Sequence, residues 1–402
     1  MMDVDLKNAA AEQLRAARRV VIKLGTSVVT GPDGQICSEQ VQPIVRSIAA
    51  LKSAGRQVVL VSSGAVGLGA GRLNLPHARL NDLVVRQACA AVGQNLLMNA
   101  YERLFSALDV EIAQVLLTER DFADRLSYKN LRSTMEKLLK LGVLPIANEN
   151  DTVSTAELEY QSDRTERIFG DNDRLAALLM SKLEAGALIL LTDVDGLLSR
   201  KTKNGPSTRA LELEAIPLVE KITAELRALA AGPSASGRGG MLSKLGAVQI
   251  AMRAGGVAVI ANGTTSNTLD RIFAGLGVGT TFVSSSRMRG KRRWIAYAAN
   301  VRGRVVVNAG AREAILDGKG SLLASGVIRV ERDFGSLDVV SIAGPEGREF
   351  ARGIANCASG EAAVQIGRSG QSTNRPESSH NRGVLVTRDN IVILGDVPGF
   401  TG

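Results

Sequence analysis

Two lysines in glycine-rich surroundings, about 220 residues apart, have the types and settings that phosphate chemistry uses: Lys23 in VVIKLGTSVVTG and Lys244 in GRGGMLSK. Ammonium groups beside close-approaching backbone amides make a cationic cradle for phosphate oxygens. Lys23 ends the apolar run Val20 to Leu24 before a turn at Gly25, as expected at the carboxyl end of a buried parallel strand, where α/β proteins place ligands. Lys244 follows Gly237, Gly239 and Gly240, where a helix is expected to begin. Between the lysines lie two acid-amide clusters, NEND at Asn148 to Asp151 and GDND at Gly170 to Asp173. Amides and carboxylates together can hold both ends of an amino acid. The stretch SSGAVGLG, beginning at Ser62, offers small residues and backbone donors to an anion. Each motif alone also has a plainer reading: a solvated strand-end lysine, a flexible glycine turn, or Asp171 capping a helix.

Alternating elements would bring these motifs together. Val41, Ile44, Val45, Ile48 and Ala49 share one helical face before a stop at Gly55, which puts Pro43 near the first turn. A strand over Val58 to Val61 leads into SSGAVGLG. Leu131, Met135, Leu138 and Leu139 mark a helix ending at Gly142, and Val143 to Ala147 a strand leading into NEND. Leu175, Leu178, Leu179 and Leu183 mark another helix, followed by strands at Ala187 to Leu191 and Val257 to Ala261. This alternation implies an α/β fold, a three-layer αβα sandwich with a mostly parallel central sheet. After about Ser284 the texture changes to the basic run RMRGKRR and short β-rich segments at Arg304 to Asn308, Gly326 to Val330 and Val339 to Ala343, implying a small barrel or sandwich. The expected domains are an N-terminal extension at 1–18, a catalytic domain at 19–285, a linker at 286–293 and a β-rich domain at 294–402. Gly367 to Arg382, rich in Ser, Gly, Asn and Gln, is expected to be a loop.

Composition narrows the class. Of 402 residues, 45% are hydrophobic but only 3% aromatic, so the core must be built from Val, Ile, Leu and Ala. Cys37, Cys89 and Cys357 are scattered and odd in number, which argues against a disulfide framework or a zinc site and for a reducing cytoplasm. Neither a signal core nor a membrane span is visible. No GxxxxGK[ST] or GxGxxG pattern occurs. The net charge is +9, and from Arg287 onward 17 Lys and Arg face 11 Asp and Glu.

VVIKLGTSVVT, VSSGAVGLG, PIANEND, GDND, LLTDVDGL and GRGGMLSK, in that order, resemble the glutamate-phosphorylating members of the amino acid kinase family. The tail resembles the PUA domain that many of them carry. The resemblance implies ATP-dependent phosphorylation of the L-glutamate γ-carboxylate, the first step of proline biosynthesis. It makes Lys23, Lys244 and Asp173 catalytic, the lysines on the transferring phosphoryl group and Asp173 orienting them. It puts Ser63, Gly64, Ala65, Asn148, Asp151, Asp171 and Asn172 at the glutamate site. It puts Lys23, Thr192, Asp193, Arg238, Gly239, Gly240, Met241, Leu242, Ser243 and Lys244 at the ATP site. Mg²⁺ would arrive on the ATP phosphates, with no protein ligand named. Proline as feedback inhibitor, a downstream glutamyl phosphate reductase and a homo-oligomer, dimer or tetramer, are further implications.

Two features depart from the family pattern. Arg238 stands where many members carry threonine, free to touch a nucleotide phosphate or point to solvent, and Thr152 to Phe169 is longer and more charged than the usual loop. Acetylglutamate, aspartate or nucleoside monophosphate kinases share the phosphoryl grip and remain alternatives. An RNA-binding protein is a further one; the basic tail favours it and the scarcity of aromatic residues for base stacking opposes it.

Overall fold

The computed structural model describes residues 2–118, 121–122, 124–153, 172–202, 211–230, 240–283, 295–296, 301–318, 320–369 and 383–394. The chain divides into two compact units: Met1–Asp121 with Leu126–Met288, and Phe122–Arg125 with Arg289–Gly402. The expected linker at 286–293 lies outside the described residues, as do residues 154–169 of the long loop and 370–382 of the expected tail loop.

The first unit opens with helix α1 (Met2–Ala16), then β1 (Arg19–Leu24), α2 (Thr26–Val29), α3 (Ser38–Ser53), β2 (Gln57–Ser62), α4 (Ala65–Arg72) and α5 (Leu83–Ser106). It continues through β3 (Ile112–Leu117), α6 (Arg125–Lys140), β4 (Leu144–Glu149), α7 (Asn172–Lys182), β5 (Ala187–Thr192), β6 (Leu198–Thr202), β7 (Leu211–Ala215), β8 (Leu218–Val219) and α8 (Ala224–Ala230). Helix α9 (Met241–Arg253), β9 (Val257–Asn262), α10 (Thr268–Ala274) and β10 (Thr280–Phe282) complete it. Eight strands form one sheet in the order β3-β4-β2-β1-β5-β9-β10-β8, with every pairing parallel except β10 on β9. The strand order reverses between β1 and β5, the crevice where such sheets bind ligands.

Residue parity assigns the two faces of this sheet. Val20, Ile22 and Leu24 of β1, with Val58 and Leu60 of β2 and Ile189 and Leu191 of β5, pack into one apolar cluster with α1, α3, α5 and α10. Val21 and Lys23 therefore face the opposite side, where α7 and α9 lie on the central strands. Register levels the carboxyl ends: Leu24 pairs with Ser62 and Leu191, Val61 with Ala147, and Thr192 with Asn262.

The expected N-terminal extension carries α1, which buries Ala10 and Leu14, followed by Ala17, in the first unit's core. Arg56 fastens its end by donating to the carbonyls of Leu14, Arg15 and Ala17 at 2.8–3.0 Å, a cation on C-terminal carbonyls. Helix α3 begins at Ser38, so Pro43 lies inside it rather than in its first turn.

The second unit contains β11 (Val301–Val307), α11 (Ala309–Leu316), β12 (Leu322–Leu323), β13 (Val327–Glu331), β14 (Val339–Ala343), β15 (Glu349–Ala355), α12 (Ser359–Ser369) and β16 (Val384–Ile393). Its six strands run in the order β12-β16-β15-β14-β11-β13 over a separate core that includes Val305, Val307, Ile342 and Val386. The residues read as the start of a loop at Gly367 still belong to α12.

Candidate functional site

Lys23 and Lys244 converge on one carboxylate. Lys23 Nζ lies 2.6 Å from Asp173 Oδ1, and Lys244 Nζ lies 3.0 Å from Asp173 Oδ2. All three residues are buried, at 5%, 6% and 0% exposure respectively. Strand parity turns Lys23 toward α7, whose second residue is Asp173, and the first turn of α9 carries Lys244 there. Burial alone pushes the Asp173 carboxyl up, yet the two ammonium groups together outweigh it and hold the group below its ordinary value. Two cations facing one acid, beside the start of the 13-residue helix α9, form a setting for a phosphoryl group.

The adjacent residue begins a second network. Asn172 Nδ2 donates to Ser63 Oγ and to Asn148 Oδ1, both at 2.9 Å. Asn148 is 3% exposed at the end of β4, and the Ser63 amide donates to the Leu24 carbonyl at 3.1 Å, tying the turn after β2 to β1. Gly64 and Ala65 continue that turn. Gly64 has φ +111° and its absent Cβ would meet Val29 at 3.1 Å, so a side chain there strains backbone and packing together.

The expected nucleotide residues occupy neighbouring ends. Thr192, at the end of β5, is buried and donates from Oγ1 to Asp193 Oδ1 at 3.0 Å. Gly240, Met241, Leu242 and Ser243 form the entry turn of α9. Asp151 is half-buried in the turn beyond β4. Asp171, Arg238 and Gly239 lie outside the described residues.

The family model for the amino acid kinase family matches residues 18–262. The chain belongs to the amino acid kinase family. A PUA domain model matches residues 303–375. The chain is similar to the glutamate 5-kinase of Moorella thermoacetica, 41% identical over 95% of this chain and 98% of that one. It is 44% identical to the Myxococcus xanthus glutamate 5-kinase over 85% of this chain and 87% of the relative. The enzyme of that name from Caldanaerobacter subterraneus subsp. tengcongensis is 39% identical over 94% and 98% of the two chains. No helix among the described residues is long and apolar enough to cross a membrane.

Within this amino acid kinase frame, residues that the motifs do not mark support both halves of the site. Gln94 Oε1 accepts from Asn148 Nδ2 at 2.8 Å, and Tyr101 Oη lies 2.8 Å from Ser62 Oγ. Burial pushes the Tyr101 phenol well above its ordinary value, against the smaller opposing effect of the Ser62 bond, so it stays neutral. Opposite them, Asn262 Nδ2 donates to Asp195 Oδ1 at 2.9 Å, and Thr280 Oγ1 accepts from the Leu197 amide at 2.8 Å, pinning the turn beyond Thr192. The available signals were a lone glutamine after small residues in ACAAVGQ and the polar ends of two strands.

Proposed function

We infer that the protein transfers the γ-phosphoryl group of ATP to the γ-carboxylate of L-glutamate, the committing step toward proline. The observation that carries this reading is the junction at the start of α7. Asp173 pairs with two lysines while Asn172, its neighbour, bonds Ser63 and Asn148. In this reading Lys23 and Lys244 bind the phosphoryl oxygens, and Ser63, Gly64, Ala65, Asn148, Asp151, Asp171 and Asn172 bind glutamate. Thr192, Asp193 and the 238–244 segment bind the nucleotide.

The chemistry needs alignment and charge more than proton transfer. A γ-carboxylate oxygen, already anionic, attacks the γ-phosphorus in line, the bond to the β,γ-bridging oxygen breaks, and ADP departs with those electrons. Charge develops on equatorial and bridging oxygens, where two fixed ammonium groups stabilise it better than reorienting water does. Asp173 keeps both ammonium groups in place before substrate arrives, which is the preorganisation such transfer requires.

Mg²⁺, when bound, neutralises phosphate charge. Among the described residues there is no cluster of three or more His, Cys, Asp or Glu side chains suited to a metal. We assign Mg²⁺ to the ATP phosphates.

Hydroxylamine captures the acyl phosphate product. The purified protein with L-glutamate, Mg·ATP and hydroxylamine is expected to yield γ-glutamyl hydroxamate in step with ADP, whereas acetylglutamate, aspartate and UMP give little ADP. Faster turnover of one of those three would overturn the reading. We place proline at the same acceptor site, so in the same assay it raises the glutamate KM; an unmoved saturation curve removes that part.

A further inference from the structure

Helix α5 reaches the acceptor site from behind, and one of its residues completes the hydrogen-bond chain that orients the site. Asn148 Oδ1 accepts from the Glu149 backbone amide at 2.9 Å, a donor whose identity is never ambiguous. The other end of that amide, Nδ2, therefore faces Gln94 and makes the facing Gln94 atom its acceptor oxygen, 2.8 Å away. Asn148 Oδ1 also accepts from Asn172 Nδ2, and that same nitrogen donates to Ser63 Oγ.

Two consequences follow for Asn172 and Ser63. Asn172 Oδ1 is buried with no hydrogen-bond partner among the described residues, an acceptor suited to an ammonium group. Ser63 Oγ already accepts, so its own hydrogen is the part left to donate, which suits a carboxylate.

Gln94 is 9% exposed and held rigidly. Gly93 beside it sits so close to α4 that a Cβ would fall 1.7 Å from the Ala65 carbonyl oxygen, and Gly69 meets the Cys89 carbonyl at 1.8 Å in the same way. Two turns along the helix, Tyr101 reaches Ser62, whose hydroxyl donates to the Ser63 carbonyl at 3.0 Å. Helix α5 thus braces the turn of Ser63 and the strand end of Asn148 together.

We propose that Gln94 is a positioning residue for the acceptor site: through Asn148 it fixes the amide of Asn172 so that an oxygen meets the amino group of the substrate and the Ser63 hydroxyl meets a carboxylate. This rests on the reading of glutamate as acceptor. Its signature is selectivity, because glutarate, which lacks the amino group, gains nothing from the Asn172 oxygen.

The test compares Gln94→Met, similar in shape but without an acceptor, with Gln94→Glu, which keeps one. Hydroxamate formation by the parent protein is measured first, and its absence overturns the acceptor reading before any variant is judged. With the parent active, Gln94→Met is expected to raise the glutamate KM roughly tenfold and to lower the preference for glutamate over glutarate by a similar factor, with the ATP KM unmoved. Gln94→Glu is expected to recover most of that preference. Unchanged glutamate KM and preference in Gln94→Met, or an equal rise in both substrates' KM values, overturns the proposal. Should Gln94→Met fail to fold, Gln94→Glu decides alone: retained preference supports the proposal and lost preference overturns it.

Discussion

The proposed acceptor and phosphoryl halves of the site meet at consecutive residues, yet they are held by different physics. Around Asn148 and Asn172 the bonds join amides and a hydroxyl, each with a fixed direction, and Asn148 has its partner Gln94 on the helix behind. Around Asp173 the bonds are ionic, and what matters is that two charges stay on one buried carboxylate. A directional network discriminates between ligands, because a wrong group leaves a buried donor or acceptor unpaired. A charge cluster instead acts on whatever anion reaches it, and acts most strongly as charge grows in the transition state. Substitutions in the first half should therefore appear in KM and selectivity, and those in the second in turnover.

The strongest way to break that contrast is to remove a cation. Lys23→Ala and Lys244→Ala are each expected to lower kcat on the order of 10²-fold or more while the glutamate KM changes little, measured by ADP release. A large rise in glutamate KM with near-normal turnover would merge the halves. Next in size is Asp173→Asn, which removes the buried carboxylate that both ammonium groups share and should lower stability by about 3 kcal/mol at neutral pH.

The sign of its pH dependence follows from the depressed carboxyl. An acid whose folded value lies below its unfolded one stabilises the fold above the ordinary value of 3.8 and loses that contribution as pH falls through the folded value. Thermal midpoints followed downward from pH 7 should fall more steeply below pH 4 in the parent than in Asp173→Asn; parallel curves would show that the ion pairs contribute no stability.

The smallest effect sharpens the comparison on the nucleotide side. Asn262→Ala frees Asp195 and should raise the ATP KM about fivefold with the glutamate KM unmoved, the mirror image of the Gln94 variants. A shift in glutamate KM instead would show that the turn beyond β5 also shapes the acceptor pocket.

Lys23, Asp173 and Lys244 were legible in the sequence because each sits at the boundary of an element whose pattern is strong. VVIKL reads as a strand with a lysine near its end, and GRGGMLSK as a glycine turn entering a helix. Central strands were legible for the same reason, being continuous apolar runs buried on both sides. Helix α5 was not, since Ala, Cys, Val, Leu and Met surround it and leave no single apolar stripe to read. Its function was harder still, because Gln94 matters only through a residue 54 positions away. In the second unit, β14 was legible from VVSIA, whereas β15 and β16 carry Arg, Gly, Asp and Asn within them, which breaks up the strand pattern. Helix α1 hid its burial in alanines, which fit against a neighbour without announcing an apolar face.

Asn172 and Asp173 are joined by a peptide bond, so the spacing between the residue proposed to bind the amino acid and the one that gathers the lysines is set by covalent geometry, about 3.8 Å from one Cα to the next. Thermal motion of the sheet or its loops moves both anchors as one body. Inserting a single residue between them would rotate one anchor by roughly 100° about the helix axis, so this dipeptide is the ruler of the reaction and the place least able to tolerate a change of length.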